Sequence, residues 1–267
     1  MRKVTPIAGS PASKTVGGDQ LAGIRPTNSN TRVSAAKLGA QAKGVVVNPG
    51  SPANMGLNSD RLRDAMVERL VRQGITDERV LQSMRQVHRH AFVDEALASR
   101  AYEDAALPIG HSQTISQPWV VARMLSALCE KAVPKRVLEV GTGCGYQAAV
   151  MAGIFREVYS IERVRALYDM ARQTLRALGY QRIKLSFGDG MAGWPAAAPF
   201  GGIVVAAAGL EIPQTLMQQL EIGGRLIAPE GGSSQKLVLI ERTGVQSWNR
   251  TELEPVRFVP LKAGVQS

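Results

Sequence analysis

The sequence predicts an α/β fold: a mostly parallel, doubly wound sheet with an antiparallel portion at its carboxyl end. Three observations carry this expectation. The run Val137–Met151, VLEVGTGCGYQAAVM, is an apolar strand that meets an acid and then a glycine-rich turn opening onto a helix. Strand-like and helix-like stretches then alternate as far as Ala228, and strands separated by helices make parallel sheets. The last two strand-like stretches have no helix between them, so they must pair antiparallel.

In chain order, Asn58-Ser59-Asp60 offers helix N-cap side chains, Leu62, Met66 and Leu70 recur at spacing four, and Gly74 ends the segment. Thr76-Asp77 opens a second helix with Val80, Leu81, Met84 and Val87 on one face. The first strand is expected at Arg136–Val140 and a helix from Tyr146 to Ile154. Val158–Ile161 follows as a strand, and Arg165–Leu178 as a helix stopped by Gly179. Further strands are expected at Ile183–Phe187, Ile203–Ala207 and Arg225–Ala228, with a helix at Pro213–Leu220 that ends at Gly223-Gly224. Leu237–Glu241 and Val256–Val259 form the closing pair.

Composition bounds the function class. The 267 residues are 45% hydrophobic with mean hydropathy near zero, which fits one catalytic-sized domain. The net charge of +10 is uneven. Residues 1–56 hold Arg2, Lys3, Lys14, Arg25, Arg32, Lys37 and Lys43 against Asp19 alone, without an aromatic residue, so a flexible basic tail is expected there. The rest is nearly balanced, which argues against a specific nucleic-acid partner. The domain is therefore expected over 57–267, with 57–116 as a helical N-terminal subdomain and lid segment. Cys129 and Cys144 make no C-x-x-C pattern, and no apolar run is long enough for a membrane span. A cytoplasmic monomer without membrane contact or metal is the expectation.

The cofactor is read from the glycine loop and the residues around it. Gly141, Gly143 and Gly145 allow backbone to approach a ligand closely. A dinucleotide fingerprint needs Gly or Ala where Tyr146 stands, and a Glu139 carboxylate ahead of the loop suits a cationic ligand better than a pyrophosphate. S-adenosylmethionine is thus favoured over NAD. Glu162, 21 residues beyond Gly141, can accept hydrogen bonds from two ribose hydroxyls, a role common to both cofactors. Asp189, between Gly188 and Gly190, can reach an adenine amino group, although Asp at such a place also shapes turns. Cys144 is read as a small turn residue.

Upstream, Ala101–Met124 reads AYEDAALPIGHSQTISQPWVVARM. With its T-I-S-Q-P segment at Thr114–Pro118, the chain resembles the protein-L-isoaspartate O-methyltransferases. The likeness continues through GTGCGYQAAV, SIERV, GDGMAGWP, the pattern from Ile212 to Pro229 and the closing VRFVPL, over roughly residues 60–262. It implies a Rossmann-like methyltransferase fold and transfer of a methyl group from S-adenosylmethionine to the free α-carboxylate of isoaspartyl residues in damaged proteins. It also implies Ser116 as the catalytic-site serine, Thr114 to Gln117 as a lid strand near cofactor and acceptor, and Glu162, Asp189 and Gly190 as cofactor contacts, beside Glu139, Gly141, Thr142 and Gly143 read from the glycine loop itself. From the residues alone, Ser116 could also be an N-cap before Pro118, a role compatible with one at the pocket, and Trp119 a core anchor or a substrate contact.

The absent histidine dyad is no objection to such chemistry, because a carboxylate is already ionised at neutral pH. An open cleft for damaged proteins is expected between Thr114–Trp119, the loop after Ala206–Ala208 and the carboxyl-terminal strands. Departures from the family pattern fall at His88, Ser112, Gly201 and Ala206. Ser112 strains its loop if the position needs positive φ. Gly201 bears on the positioning of the pocket. A small molecule or RNA as the acceptor is the alternative the same fold allows.

Overall fold

The structure, a computed structural model, describes residues 56–267, with side chains described from Ser59 onward. The basic segment 1–56 thus lies outside the described residues except for Gly56. Seven strands form one sheet in the order β5-β4-β3-β6-β7-β8-β9. They are β3 (Arg136–Val140), β4 (Glu157–Glu162), β5 (Lys184–Phe187), β6 (Phe200–Val205), β7 (Leu220–Gly231), β8 (Gln235–Gly244) and β9 (Ser247–Val256). The first five run parallel, and β8 and β9 add antiparallel. This is the expected architecture. Separately, β1 (Leu107–Gly110) and β2 (Gln113–Ile115) form a short hairpin.

Strand alternation builds two cores, one on each face. Val137, Val158, Val204, Ile227, Leu237 and Leu239 face one side, which is covered by helices α1 (Gly56–Arg72), α2 (Glu78–Gln86), α3 (Pro118–Cys129) and α4 (Tyr146–Ala152). Leu138, Val140, Ile161, Ile203, Val205, Leu226 and Ile240 face the other, packed by Trp194, Phe200 and Leu216 of α6 (Gln214–Gln218). Helix α5 (Arg165–Ala177) buries Leu167, Ala171 and Leu175, and Gly179 at φ +84° follows its end. Residues 57–116 share the first core: Met66, Leu70, Val80 and Met84 pack with Val121, Leu125, Ala148 and Val150.

Local chemistry explains the element ends. Asp77 caps α2 by accepting from the amides of Arg79 and Val80, and Val80, Leu81, Met84 and Val87 are all buried, as the pattern requires. Four expectations need correction. Helix α1 begins at Gly56, so Asn58-Ser59-Asp60 lies inside it; its buried stripe is Met66, Val67 and Leu70, while Leu62 is 43% exposed. The helix expected at Pro213–Leu220 is only Gln214–Gln218. Leu220 already belongs to β7, and Gly223 and Gly224 lie inside that strand, beside a register shift against β6. The final strand is Ser247–Val256 and not Val256–Val259. It is an edge strand with charges on both faces, so it carries no apolar alternation to read. Finally, Gln117 occupies the N-cap position of α3 and Pro118 its first turn, so Ser116 is not the cap.

Candidate active site

The strand order reverses between β4-β3 and β3-β6, and ligands of open α/β sheets bind at the carboxyl ends of strands beside such a switch point. A cavity of about 270 Å³ lies there. Its floor is Val140 with the glycine loop Gly141–Cys144. Glu162, Arg163 and Val164 form one wall, and Ala206 and Ala207 another. The β1–β2 hairpin from His111 to Ile115, together with Ser116, covers a third side. The tail after β9, from Val259 to Lys262 with Gln266, closes the fourth.

The loop owes its path to backbone geometry. Gly141, Gly143 and Gly145 have φ of +94°, +56° and +92°, values that L side chains rarely adopt. The amides of Gly141 and Thr142 donate to the Ile161 carbonyl at 2.9 and 3.2 Å, which ties the loop to the end of β4. Glu162, only 4% exposed, accepts from the Gly143 amide at 2.9 Å and the Val164 amide at 2.8 Å. Each carboxylate oxygen keeps a second lone pair, so this rigid acid can still accept from a pair of vicinal hydroxyls. A nucleoside ribose fits that donor–acceptor set.

Glu139 sits directly beneath the loop, fully buried. Ser160 Oγ donates to it at 2.5 Å and Gln147 Nε2 at 3.0 Å, and Thr142 Oγ1 lies 2.5 Å from the same Ser160 hydroxyl. Burial pushes its carboxyl up to about 8, against the opposing pull of these two hydrogen bonds, and the neighbouring Glu162 adds to the rise. Burial also pushes the Cys144 thiol up to about 11, which leaves it unreactive and suits a turn residue.

Of the residues read from the sequence, Thr114, Ser116, Gly141, Thr142, Gly143, Glu162 and Gly190 border the cavity together. Three do not. Glu139 lies behind the loop, and Gln117 caps α3. Asp189 gives one carboxylate oxygen to the Met191 amide at 2.9 Å and the other to the Gly264 amide at 2.8 Å, so it shapes a turn and anchors the tail. Gly190 meets a packing demand: a Cβ there would stand 2.4 Å from Val140 Cγ1. Gly201 lies at the opposite end of β6, where Glu221 and Pro134 fill the space of a side chain, so it does not touch the pocket. Trp119 is half-buried against the first core.

The hairpin tip was legible only in part. His111 and Ser112 have φ of +51° and +56°, between Gly110 and Gln113 that pair across the strands. They are the central residues of a mirror-image turn that favours Asn-Gly, so Ser112 does stand where positive φ is needed. The cleft was expected against the carboxyl-terminal strands, which included Val259, but Pro260 to Gln266 and the buried Arg89 were missed. Arg89 Nε donates to the Ala101 carbonyl at 2.6 Å, and its guanidinium lies 4.9 Å from the Tyr146 ring centre. It thereby fixes the chain leading into β1 against the helix that follows the glycine loop. An isolated Arg among charged neighbours offers no sequence signal of such burial.

Ser116 is half-buried, and its hydroxyl has no hydrogen-bond partner among the described residues. It faces the same cavity as the glycine loop and Glu162.

Known proteins agree with this geometry. A family model for protein-L-isoaspartate(D-aspartate) O-methyltransferase matches residues 61–266. A protein-L-isoaspartate O-methyltransferase of Bordetella avium is 64% identical over 269 residues, spanning all of both chains. Another, of Bordetella parapertussis, is 66% identical over 257 residues, covering 94% of this chain and 96% of its own. Among solved structures, a Plasmodium falciparum protein-L-isoaspartate O-methyltransferase in complex with S-adenosyl-L-homocysteine is 27% identical with a TM-score of 0.67. It covers 75% of this chain and 98% of its own. A second protein-L-isoaspartate O-methyltransferase is 26% identical with a TM-score of 0.70, covering 76% and 67%.

Proposed function

The chain belongs to the protein-L-isoaspartate(D-aspartate) O-methyltransferase family, an S-adenosylmethionine-dependent family, and we propose that it methylates the free α-carboxylate of isoaspartyl residues in proteins with Ser116 as the group that orients the acceptor. One observation carries the residue assignment: an unpartnered serine hydroxyl shares one cavity with the glycine loop and the buried Glu162.

S-adenosylmethionine supplies an electrophilic methyl group next to a positive sulfur. The chain's own residues must hold the partners in line and exclude water. Glu162 takes the ribose hydroxyls. The backbone of Gly141–Gly143 lies against the ligand where a Cβ would stand in the way. Glu139 provides a carboxyl group below the loop, whose ionised form favours a cation above it. Ser116 donates a hydrogen bond to one carboxylate oxygen of the acceptor and leaves the other free to attack. Alignment of this kind is worth up to about 7–11 kcal/mol. No side chain needs to take a proton, because the acceptor arrives ionised. The ester product then cyclises without the enzyme: the neighbouring backbone nitrogen attacks, methanol leaves, and the succinimide opens partly to normal aspartate.

Residues 57–267 suffice for this activity in our reading, since they hold every wall of the cavity. No helix among the described residues is long and apolar enough to cross a membrane. A cytoplasmic monomer is part of the same proposal; the two free, buried cysteines support the reducing compartment.

The test is repair itself. An isoaspartyl peptide incubated with the chain and S-adenosylmethionine is expected to yield the aspartyl isomer by chromatography, in amounts that depend on the cofactor. No conversion beyond the cofactor-free control would overturn the proposal. Ser116→Ala is expected to lower kcat about 10²-fold, the scale on which misaligning a reacting group slows a reaction, with little change in cofactor Kd. Parent-like turnover would remove Ser116 from the site.

A further inference from the structure

The charges that border the cavity are unequally committed. Glu162 is tied to the Gly143 and Val164 amides. Arg163 donates to the Gly264 carbonyl at 2.9 Å and to Gln266 Oε1 at 3.3 Å. Lys262 is exposed, borders the cavity, and makes no hydrogen bond or ion pair among the described residues. Of the other described lysines, Lys131, Lys184 and Lys236 each meet a glutamate, and Lys135, also without an ion pair, does not border this cavity.

The backbone around Lys262 is nevertheless fixed. On one side, the Ala208 amide donates to the Val259 carbonyl and the Leu261 amide donates to the Ala208 carbonyl, both at 2.8 Å. On the other side, the Gly264 amide donates to Asp189 at 2.8 Å. A mobile ammonium therefore stands on an anchored strap at the rim of the acceptor cavity. Nothing in the described chain neutralises it.

We propose that Lys262 captures the α-carboxylate of the incoming isoaspartyl residue and so sets the KM for the acceptor. The inference rests on the function proposed above. The charge balance of the reaction says what kind of help Lys262 gives. A carboxylate and a sulfonium become a neutral ester and a neutral thioether, so the acceptor's charge is fading in the transition state. A cation held on that carboxylate favours the bound ground state at least as much as the transition state. A flexible, solvated ammonium suits capture followed by release. The serine hydroxyl, a neutral donor, suits alignment.

The cofactor's own amino-acid carboxylate is the other anion within this chemistry, and the kinetics separate the two. The full chain carrying Lys262→Met is expected to show a KM for an isoaspartyl peptide raised about fivefold, the upper end for a solvent-exposed ion pair. Its kcat and cofactor Kd should stay at parent values. Lys262→Arg should restore KM. Added NaCl should raise the parent's KM but leave that of the Met variant almost unchanged. An unchanged KM in the Met variant, or a loss confined to cofactor Kd, would overturn the assignment. Absence of peptide methylation by the parent chain would instead remove the underlying function, and this inference with it.

Discussion

Glu139 is fully buried, directly behind the glycine loop that borders the cavity. With its carboxyl pushed up to about 8 by burial, it holds a proton at neutral pH in the unliganded protein. The folded state binds a proton that the unfolded state has released between about pH 4.5 and 8. This group's contribution to stability is therefore complete below the lower value and is lost as pH rises toward 8, at up to about 1.4 kcal/mol per pH unit. Glu139→Gln is expected to flatten that slope in denaturation measured across pH. A cation bound above favours the ionised form, so cofactor binding at pH 7 should release a proton in the parent and none in the Gln variant. Calorimetry in two buffers of different ionisation enthalpy reads this directly. Glu139 was legible in the sequence because it ends an apolar run before glycines. Its burial behind the loop was not, because Ser160 and Gln147, which satisfy it, lie on other elements.

The β1–β2 hairpin forms one wall of the cavity. Its tip places two non-glycine residues, His111 and Ser112, at positive φ on the cavity wall. A left-handed conformation costs an L residue about 1–2 kcal/mol. Ser112→Gly should recover much of this, offset by the greater freedom of glycine in the unfolded chain, for a net gain of about 0.5 kcal/mol. Thermal unfolding should then move upward, and an unchanged or lower Tm would show the turn to be relaxed. Gly145→Ala should act in the opposite sense. Its φ is +92°, and an added Cβ would stand 3.1 Å from Leu175. At this scale the parallel strands were legible because each is a short apolar run bounded by turn signals. The hairpin resisted because its strands are four and three residues long, and β9 because an edge strand needs no apolar face.

The whole molecule concentrates its chemistry at one end of the sheet, where the order of strands reverses. Alternating elements and a directly joined closing pair were enough to read that architecture, since connection rules leave few topologies. The wall made by Val259 to Gln266 was not readable, because it depends on a few hydrogen bonds to the backbone of Ala208 and Arg163 and to the Asp189 carboxylate, all distant in sequence. The family match begins at residue 61, and among the described residues every one that lines the cavity lies beyond 110. A chain truncated to 57–267 should therefore keep kcat/KM within roughly twofold of the full chain.

Methyl transfer to paired peptides tests the central claim most directly. The full chain is incubated with methyl-labelled S-adenosylmethionine and two peptides identical except that one carries isoaspartate and the other normal aspartate. The expected result is label on the isoaspartyl peptide alone, released as methanol in mild base. Equal labelling of the two peptides, label that resists base, or no label on either would contradict it.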